Sequence, residues 1–486
     1  MPRVLAIDLG TGSLKAGVID ENLTVLSRKS APVATARPKA GVAEQSPRDW
    51  ISALAKAAPA AVEAAGGPVD AISFAGHMSA PILVDAECRP LATVRTLADT
   101  QCTPYLSNDP SIATLSGNFD GTHFARAKIL HAASEVELEK LATVLSPKDF
   151  LRVEMGGGFV TDPGDMANFL LLDLDTGAYS AELVSGAGLI DGALPEVQRA
   201  DAFDGVLNGD WARRLDLLAG VPLVTGTGDM GAAAIGVGLG ASCDAAITIG
   251  TAATILASLS ERQPKLVGKL THHLDGVGGK FALASHFNGG AVLDWLHRLS
   301  GTERPRDDWL RETSAEAQSR QSSGGERALP LVLPYLLGSG SPVFDRDETA
   351  KVLGLNAGHD MPDLLAGFQE GVAFDLANSI DVLSDASMAT DRICLGGGGA
   401  RLAGWPSTIS DTLDRPLLRA GSDDPTLVGA AVLGFRALGQ EVRGAEPQLG
   451  WSPDPRRVAH LRDRRAQAQA LRKISLPPRA RLLEER

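Results

Sequence analysis

Cysteine is scarce in this chain, and the few cysteines form no pattern. The 486 residues contain four cysteines, and no two of them form a CxxC pair. Cysteine pairs at short spacing hold structural zinc, and dense sets of cysteines form the disulfide framework of small secreted domains. We therefore expect neither a zinc site nor a disulfide framework, and the thiols are predicted to be small, half-buried apolar side chains.

Long apolar runs and an excess of positive charge are also missing. No apolar stretch reaches the ~18 residues that span a bilayer, and the first one ends at Asp8, too early for a secretory leader. The net charge of −13 disfavours a surface for nucleic acids or anionic membranes. We therefore expect a cytoplasmic protein with no nucleic-acid partner and no membrane partner.

The phosphate-binding loop of P-loop proteins is absent, because no G-x-x-x-x-G-K-[ST] sequence occurs. If the protein binds ATP, another arrangement must hold the phosphates. The chain is too long for a single core, so at least two domains are expected. Strand-like and helix-like segments alternate in both halves, which indicates an α/β protein. Residues 110–155 are predicted to be mostly helical.

A carboxylate followed by a glycine-rich turn lies close to the start of the chain. Asp8 ends an apolar, strand-like run, Gly10, Thr11 and Gly12 form the turn, and a second strand-like run follows. Backbone N–H groups in such a turn can hold phosphate oxygens. The carboxylate would repel phosphate unless a cation such as Mg²⁺ lay between them. The pattern predicts a Mg-nucleotide turn, with an ordinary hairpin as the equal alternative.

A second strand, Gly-Thr turn and strand lies about half a chain further on. Residues 245–249 lead into Gly250 and Thr251, and residues 252–256 form the next apolar run. A duplicated nucleotide-binding fold would show one phosphate-binding turn in each half. The two copies are too diverged to prove duplication by themselves.

A glycine-rich turn with a carboxylate, Asp229, follows the strand predicted at 221–224. Residues 226–231 match the dinucleotide fingerprint G-x-G-x-x-G. Asp229 would point its charge at a pyrophosphate, however, and no acidic residue ends the next strand, so a dehydrogenase is disfavoured. A carboxylate held at a strand end suits a general base that takes a proton from a substrate hydroxyl. A helix N-cap is the alternative, and it is compatible with that role.

Two more segments follow apolar strands. Residues 396–399 are four glycines, which allow a backbone to approach a flat ligand such as adenine but could also form only a flexible turn. His77 and Met78 follow the strand predicted at 71–75 and could line a pocket. A single histidine is more often a structural residue, and this alternative stays open.

Taken together, these segments resemble the FGGY family of carbohydrate kinases, and most closely its xylulokinase branch. The resemblance covers roughly residues 3–440 and rests on many short motifs that occur in the family order. The motifs are 7–11 with Lys15, 44–47 with Trp50, 75–78, 146–151, 161–165, 228–229 with 236–238, 249–251, 289–291 with 294–296, 333–335, 370–374 and 397–401.

The resemblance implies an α/β fold of the actin/hexokinase-like type, in which two similar ribonuclease-H-like domains surround a cleft. We expect an N-terminal domain over 1–240, on the sugar side and with the catalytic aspartate. A C-terminal domain over 241–440 would form the nucleotide side, and 441–486 would be a peripheral tail. The hinge is expected near 238–245.

The resemblance also implies ATP-dependent phosphorylation of a sugar or polyol hydroxyl, with ATP and Mg²⁺ as cofactors and a homodimer as a possible assembly. Asp229 would be the general base, and Asp8 would hold Mg²⁺ through water. His77, Met78 and Asp99 would contact the substrate together with Asp229. The residues implied on the nucleotide side are Asp8, Gly10, Thr11, Gly12, Lys15, Gly250, Thr251, Gly290, Asp294, Gly397, Gly398, Gly399 and Ala400.

The sugar side departs from the family pattern. The branch usually has Gln-Met-His-Gly where residues 77–80 are His-Met-Ser-Ala, and Trp-Asn-Asp-Gly-Arg where residues 97–101 are Leu-Ala-Asp-Thr-Gln. Its Gly-Glu-Arg-Thr-Pro is replaced by Gly-Ser-Gly-Ser-Pro at 338–342. Losing hydrogen-bonding side chains changes which hydroxyls a site can select. We predict that D-xylulose is a poor substrate and that another ketose or polyol is preferred, unless other loops rebuild the same pocket. A sugar- and nucleotide-binding protein with impaired catalysis is the alternative function.

Overall fold

The computed structural model describes residues 1–189, 192–322 and 328–474. Its main elements are two sheets of seven strands, one from each half of the chain, with helices packed on them. The strands of the first half are β1 (Arg3–Leu9), β2 (Ser13–Asp20), β3 (Val25–Pro32), β4 (Glu44–Gln45), β5 (Ala71–Gly76), β6 (Ile82–Val84), β7 (Val94–Arg95), β8 (Thr143–Leu145), β9 (Val160–Thr161), β10 (Glu196–Val197), β11 (Phe203–Val206), β12 (Pro222–Val224) and β13 (Thr227–Gly228).

The strands of the second half are β14 (Ala245–Ile249), β15 (Ala253–Leu259), β16 (Thr271–Leu274), β17 (Lys280–His286), β18 (Leu331–Leu333), β19 (Lys351–Leu353), β20 (Ile393–Gly396), β21 (Leu417–Arg419) and β22 (Gln448–Trp451). The helices are α1 (Pro47–Ala65), α2 (Pro110–Ser116), α3 (Arg126–Ala133), α4 (Pro147–Met155), α5 (Pro163–Asn168), α6 (Ala181–Gly186), α7 (Gly209–Leu215), α8 (Asp229–Gly236), α9 (Ala291–Leu299), α10 (Arg306–Ser322), α11 (Met361–Asp385), α12 (Trp405–Leu413), α13 (Pro425–Ala437) and α14 (Pro455–Arg472).

The two large sheets share one arrangement of strands. In the first sheet, β1, β2 and β3 are antiparallel neighbours, while β5 and then β12 continue parallel to β1 on its other side. In the second sheet, β14, β15 and β17 repeat the antiparallel part, and β20 and β21 repeat the parallel part. This repetition confirms the expected fold class, with two similar ribonuclease-H-like units.

Strand β1 is apolar along almost its whole length because helices cover both faces of the first sheet. Leu5 and Ile7 belong to the hydrophobic core on the side of α1, whereas Val4 and Ala6 pack with residues of α8 and α13 on the other side. Strands covered on both faces have continuous apolar sequences. The first carboxylate of the chain, Asp8, therefore marks the end of this strand.

The region 110–155, predicted to be mostly helical, is only partly so. It contains the short helices α2, α3 and α4, but β8 lies between the last two. Strand β8 pairs antiparallel with β6, with Val144 opposite Leu83. This pairing joins segments about sixty residues apart in the chain, so the local sequence pattern does not reveal it.

Helices α8 and α13 come from opposite halves of the sequence and cross at glycines. A Cβ atom at Gly429 would lie 1.8 Å from the carbonyl oxygen of Ala232, and one at Gly236 would lie 1.9 Å from that of Pro425. The two backbones are therefore in direct contact, which side chains would prevent. Helix α13 also packs on β1 and β5, so a helix from the second half covers one face of the first sheet.

The C-terminal helix α14 is anchored by a buried arginine rather than extended as a basic arm. Arg464 is 9% exposed and donates to the Glu370 carboxylate at 2.9 Å. It also donates to the carbonyl oxygens of Leu329 and Pro330. The guanidinium group is thus paired as a buried charge must be, and α14 is fixed against α11.

All four cysteines are buried, more deeply than expected, and none forms a disulfide. Across the described residues, no helix combines the length and the apolar character that a membrane crossing requires.

The glycine crossing gives a stability prediction. Gly429→Ala should lower the free energy of unfolding by ~1–3 kcal/mol or more, because the added methyl group would collide with the main chain of α8. Gly186→Ala is the control, since this glycine ends α6 and has no atom within 4 Å of a new Cβ. Denaturation midpoints in urea measure both variants. Equal midpoints for Gly429→Ala and wild type would contradict the close crossing.

Candidate active site

The predicted catalytic and sugar-side residues lie at one edge of the first sheet. Strand β5 lies between β1 and β13, and it is parallel to both. Asp8 lies near the carboxyl end of β1, His77 and Met78 follow β5, and Asp229 follows β13. Side chains at the carboxyl ends of neighbouring parallel strands meet at one edge, where such folds place ligands. The structure therefore brings these four residues together.

The turn that carries Asp229 requires glycine. Gly226 has a φ of +72°, and a Cβ there would lie 1.9 Å from the carbonyl oxygen of Phe74. The turn can therefore lie directly on β5 only without a side chain. Asp229 is the first residue of α8, and its carboxylate accepts a hydrogen bond from the N–H of Met230 at 2.8 Å. Gly228 holds the N-cap position that was considered for Asp229.

Asp8 is buried beside one lysine. Lys15 Nζ lies 3.3 Å from Asp8 Oδ2 and 3.3 Å from Asp424 Oδ2, so it bridges two carboxylates. The other oxygen, Asp8 Oδ1, has no hydrogen-bond partner within the described part of the chain. Burial raises the pKa of Asp8 to about 6, although Lys15 opposes this rise. A buried carboxylate oxygen without a donor is suited to a cation or its water ligands.

The pKa of Asp229 is raised further, to about 7. The main cause is burial, and the second is the negative charge of Asp8. Asp229 remains partly exposed, so a ligand in the cleft can reach it. Two carboxylates that repel each other titrate as a pair, and the pair carries its full charge at neutral pH only if a cation compensates it.

The first Gly-Thr turn, residues 10–12, is held in place by contacts within the first half of the chain. Gly10 donates its N–H to the carbonyl oxygen of Ser13 at 3.0 Å, which closes the turn. Gln45 Nε2 donates to the carbonyl oxygen of Thr11 at 2.6 Å, and the same side chain accepts from Trp50 Nε1. The motif with Gln45 and Trp50 therefore supports the turn.

The three nucleotide-side segments of the second half are neighbours. Gly290 and Ala291 donate their N–H groups to the carbonyl oxygens of Gly250 and Thr251, at 2.7 and 2.9 Å. Gly397 has a φ of +82°, and a Cβ there would lie 2.5 Å from the carbonyl oxygen of Ile249. Thus the second Gly-Thr turn, the start of α9 and the segment 397–400 form one surface beside the ends of β14 and β20.

A cavity of about 370 Å³ lies between the two halves. Lys15 and Arg28 line it from the first half, and Asp424, Thr248 and Thr254 line it from the second. Arg28 Nη1 lies 3.3 Å from Asp424 Oδ2. Asp424 is a residue that the sequence did not identify, because its only signal was a turn-forming Asp-Pro pair more than four hundred residues from Lys15.

Two of the predicted ligand contacts, Asp99 and Asp294, have protein partners, and a third, His77, is buried. Asp99 is fully buried and accepts hydrogen bonds from the main chain of Ala43 and Gln101 at 2.9 and 3.0 Å. Asp294 accepts from Arg306 Nε at 2.6 Å. The pKa of His77 falls to about 4, mainly because the ring is buried, so it is neutral at physiological pH. The roles of these residues toward a ligand stay predictions.

Within the described ranges, no three His, Cys, Asp or Glu side chains are grouped so as to hold a metal ion by themselves. Magnesium in nucleotide sites usually takes one or two carboxylates and completes its shell with phosphates and water. Asp8, with its unpaired oxygen, fits that kind of site and no other metal centre is needed.

The raised pKa of Asp229 predicts a cost in stability. Between about pH 4 and about pH 7 the folded protein binds a proton that the unfolded chain, with a pKa of 3.8, has lost. The free energy of unfolding therefore falls as the pH rises through this range. Asp229→Asn keeps the neutral form at every pH, so the variant should be more stable than wild type at pH 8 by ~1–2 kcal/mol. The difference should vanish near pH 4, and a constant difference in urea melts would contradict the raised pKa.

The sequence matches the FGGY family of carbohydrate kinases in both of its domains, the N-terminal domain over residues 3–236 and the C-terminal domain over 245–438. It is 28% identical to the xylulose kinase of Escherichia coli over 489 residues, which covers 97% of this chain and 99% of that protein. The fold is similar to that of a xyloylose kinase from Brucella ovis, with a TM-score of 0.85, 25% identity and coverage of 96% and 98%. It is also similar in fold to glycerol kinase from Plasmodium falciparum, with a TM-score of 0.83, 18% identity and coverage of 98% and 99%. The chain belongs to the FGGY family of carbohydrate kinases.

Proposed function

We propose that this enzyme transfers the γ-phosphoryl group of ATP to a hydroxyl group of a sugar or polyol, with Asp229 as the general base. The observation that carries the proposal is the pair of carboxylates at the base of the cleft. Asp8 has an unpaired buried oxygen, and Asp229 has a pKa of about 7 at a rigid turn. A general base works best when its pKa lies near the operating pH.

In the proposed reaction, Asp229 accepts the proton of the substrate hydroxyl while the hydroxyl oxygen bonds to the γ-phosphorus. The bond from the γ-phosphorus to the bridging oxygen of ATP breaks, and ADP leaves with those electrons. Phosphoryl transfer depends mainly on alignment and on neutralising phosphate charge. A Mg²⁺ ion held at Asp8 together with the phosphates supplies that positive charge.

The chain's own residues would bind the nucleotide from both halves. The turn at Gly10, Thr11 and Gly12 and the turn at Gly250 and Thr251 offer main-chain N–H groups to the phosphates. Lys15 adds positive charge beside the first turn. The residues proposed for the adenine side are Gly290, Asp294, Gly397, Gly398, Gly399 and Ala400.

We retain the proposed division into domains at 1–240 and 241–440, with 441–486 as the tail. Two family domains over 3–236 and 245–438 support it, as does one seven-stranded sheet in each half. Two halves that close over the ligands exclude water, which would otherwise compete with the sugar as the acceptor. A homodimer stays a proposal.

The substrate side is the less constrained part of the proposal. Asp99 already accepts hydrogen bonds from the main chain of Ala43 and Gln101, and Leu97 is 47% exposed where the branch has tryptophan. Ser79 Oγ lies 2.6 Å from the carbonyl oxygen of His123 and 2.9 Å from Asn168 Oδ1, so its one hydroxyl proton is already engaged. These contacts support a sugar pocket that differs from the family pattern.

The alternative function is a sugar- and nucleotide-binding protein of the same fold with impaired catalysis. Retention of both Asp8 and Asp229 argues against it, because a protein that only bound its ligands would need no general base. ATP consumption with any sugar excludes this alternative.

Asp229→Asn should lower kcat by ~10²–10⁴-fold, as expected for the loss of a general base, while the affinity for ATP changes little. The control is Asp210→Asn, a carboxylate on α7 whose side chain is 77% exposed. Steady-state kinetics with coupled detection of ADP measures both. Near-normal turnover in a folded Asp229→Asn variant would exclude Asp229 as the base.

A screen of ADP release over ketoses, aldoses and polyols tests the substrate. We expect D-xylulose to have a lower kcat/KM than at least one other ketose or polyol, because the hydrogen-bonding wall at 97–101 is altered. A value for D-xylulose above every other compound would show that other loops rebuild the pocket.

A further inference from the structure

Two segments that carry family motifs, 146–151 and 161–165, have no role in the site as proposed so far. In the structure they form one cluster of charged side chains beneath the turn 226–229. Lys148 is at its centre and is fully buried. Its Nζ atom lies within ion-pair distance of three carboxylates: Asp149 at 2.6 Å, Asp162 at 3.1 Å and Asp165 at 3.3 Å.

Burying this cluster of charges carries a large desolvation cost. Arg152 adds a second buried cation 3.3 Å from Asp149 and 3.0 Å from Asp204, yet the carboxylates still outnumber the cations. Desolvation of buried ions can exceed the attraction between them, so such a cluster is weak evidence for stability. Its clearest consequence is geometric, because the ion pairs with Lys148 fix where the three carboxylates lie.

One of these carboxylates contacts the turn that carries Asp229, which is called the catalytic turn below. Asp162 Oδ2 accepts a hydrogen bond from Thr227 Oγ1 at 2.7 Å and another from the N–H of Gly164 at 2.8 Å. Asp162 and Thr227 are both fully buried. Because Thr227 lies two residues before Asp229, the fixed carboxylate also fixes the turn that carries the base.

A hairpin loop from the second half of the chain packs against Asp162 and Thr227. Gly276, between β16 and β17, has a φ of +83°, and a Cβ there would lie 2.6 Å from Asp162 Oδ2 and 3.1 Å from Thr227 Oγ1. Main-chain hydrogen bonds continue the contact, from Ala200 N to Gly276 O and from Gly226 N to Ala200 O, each at 2.9 Å. The loop therefore packs directly behind the catalytic turn.

We propose that Lys148, Asp162 and Thr227 form a positioning chain that fixes the direction of the Asp229 carboxylate, and that the hairpin loop at Gly276 holds this chain in place. The inference rests on the proposed role of Asp229 as the base. None of these residues touches the reacting atoms. They act through the turn, so a change in them should affect the chemical step more than the binding of ATP.

Thr227→Val and Thr227→Ser form a matched pair. Valine keeps the shape of threonine but removes the donor to Asp162, whereas serine keeps the donor. Kinetics are measured with ATP and with the compound of highest kcat/KM in the substrate screen. We expect Thr227→Val to lower kcat by ~10–100-fold, the scale of a misplacement of about 1 Å, with KM for ATP unchanged. Thr227→Ser should recover most of the activity. Wild-type kcat in Thr227→Val, or an equal loss of kcat in both variants, would contradict the proposed positioning chain.

Gly276→Ala and Gly278→Ala test the contact from the other half. Both glycines have positive φ, +83° and +110°, so alanine strains the same loop in both variants. Only at Gly276 would the methyl group meet Asp162, since a Cβ at Gly278 has no atom within 4 Å. We expect a loss of kcat in Gly276→Ala that Gly278→Ala does not show. Equal losses would mean that loop strain, and not the contact, is responsible.

Hydrogen exchange measured by mass spectrometry gives a readout that needs no substrate. Peptides covering 226–236 should exchange faster in Thr227→Val and Gly276→Ala than in their matched controls. Unchanged exchange in both variants would overturn the inference. Asp229→Asn separates the two proposals. If the Asp229→Asn enzyme is active, Asp229 is not the base. If it is inactive while Thr227→Val is fully active, the role of Asp229 stands and only the positioning chain is wrong.

Discussion

Two carboxylates, Asp8 and Asp229, are held near each other and are largely shielded from water. Burial raises both pKa values, to about 6 for Asp8 and about 7 for Asp229. The negative charge of Asp424 adds to the rise at Asp8, and that of Asp8 adds to the rise at Asp229. A single lysine, Lys15, compensates part of this charge and is shared with Asp424. The site therefore lacks positive charge until a ligand supplies it, which suits a site for a metal-bound nucleotide. The stability that the carboxylates cost is consistent with a functional role.

The fold builds this charged site by bringing together strand ends and helix starts from both halves. Asp8 and Asp229 come from strands on either side of β5, and the glycine turn at 226–228 lets α8 begin directly against that strand. Helix α13 of the second half crosses α8 at backbone contact and places Asp424 beside Lys15. The same interlocking brings the loop at Gly276 behind Asp162. Each half is thus incomplete as a site without the other.

The sequence predicted the parts of this arrangement that are local. Both Gly-Thr turns, the strand that ends at Asp8 and the carboxylate at the start of α8 follow from short apolar runs and glycine positions. It did not predict the contact of Lys15 with Asp424, the β6–β8 pair or the cluster around Lys148, because their partners are distant in sequence. Likewise, the carboxylate of Asp99 is suitable for a ligand contact by its chemistry, but only the structure gives its hydrogen bonds to the main chain of Ala43 and Gln101.

The central claim is that a metal-bound nucleotide relieves the repulsion between Asp8 and Asp229. Isothermal titration calorimetry of a non-hydrolysable ATP analogue with Mg²⁺, at a pH of ~6.5 between the two raised pKa values and in two buffers of different ionisation enthalpy, tests it directly. We predict a net release of protons from the wild-type protein on binding, and a smaller release from Asp229→Asn. Binding enthalpies that are the same in both buffers for the wild-type protein would contradict the account.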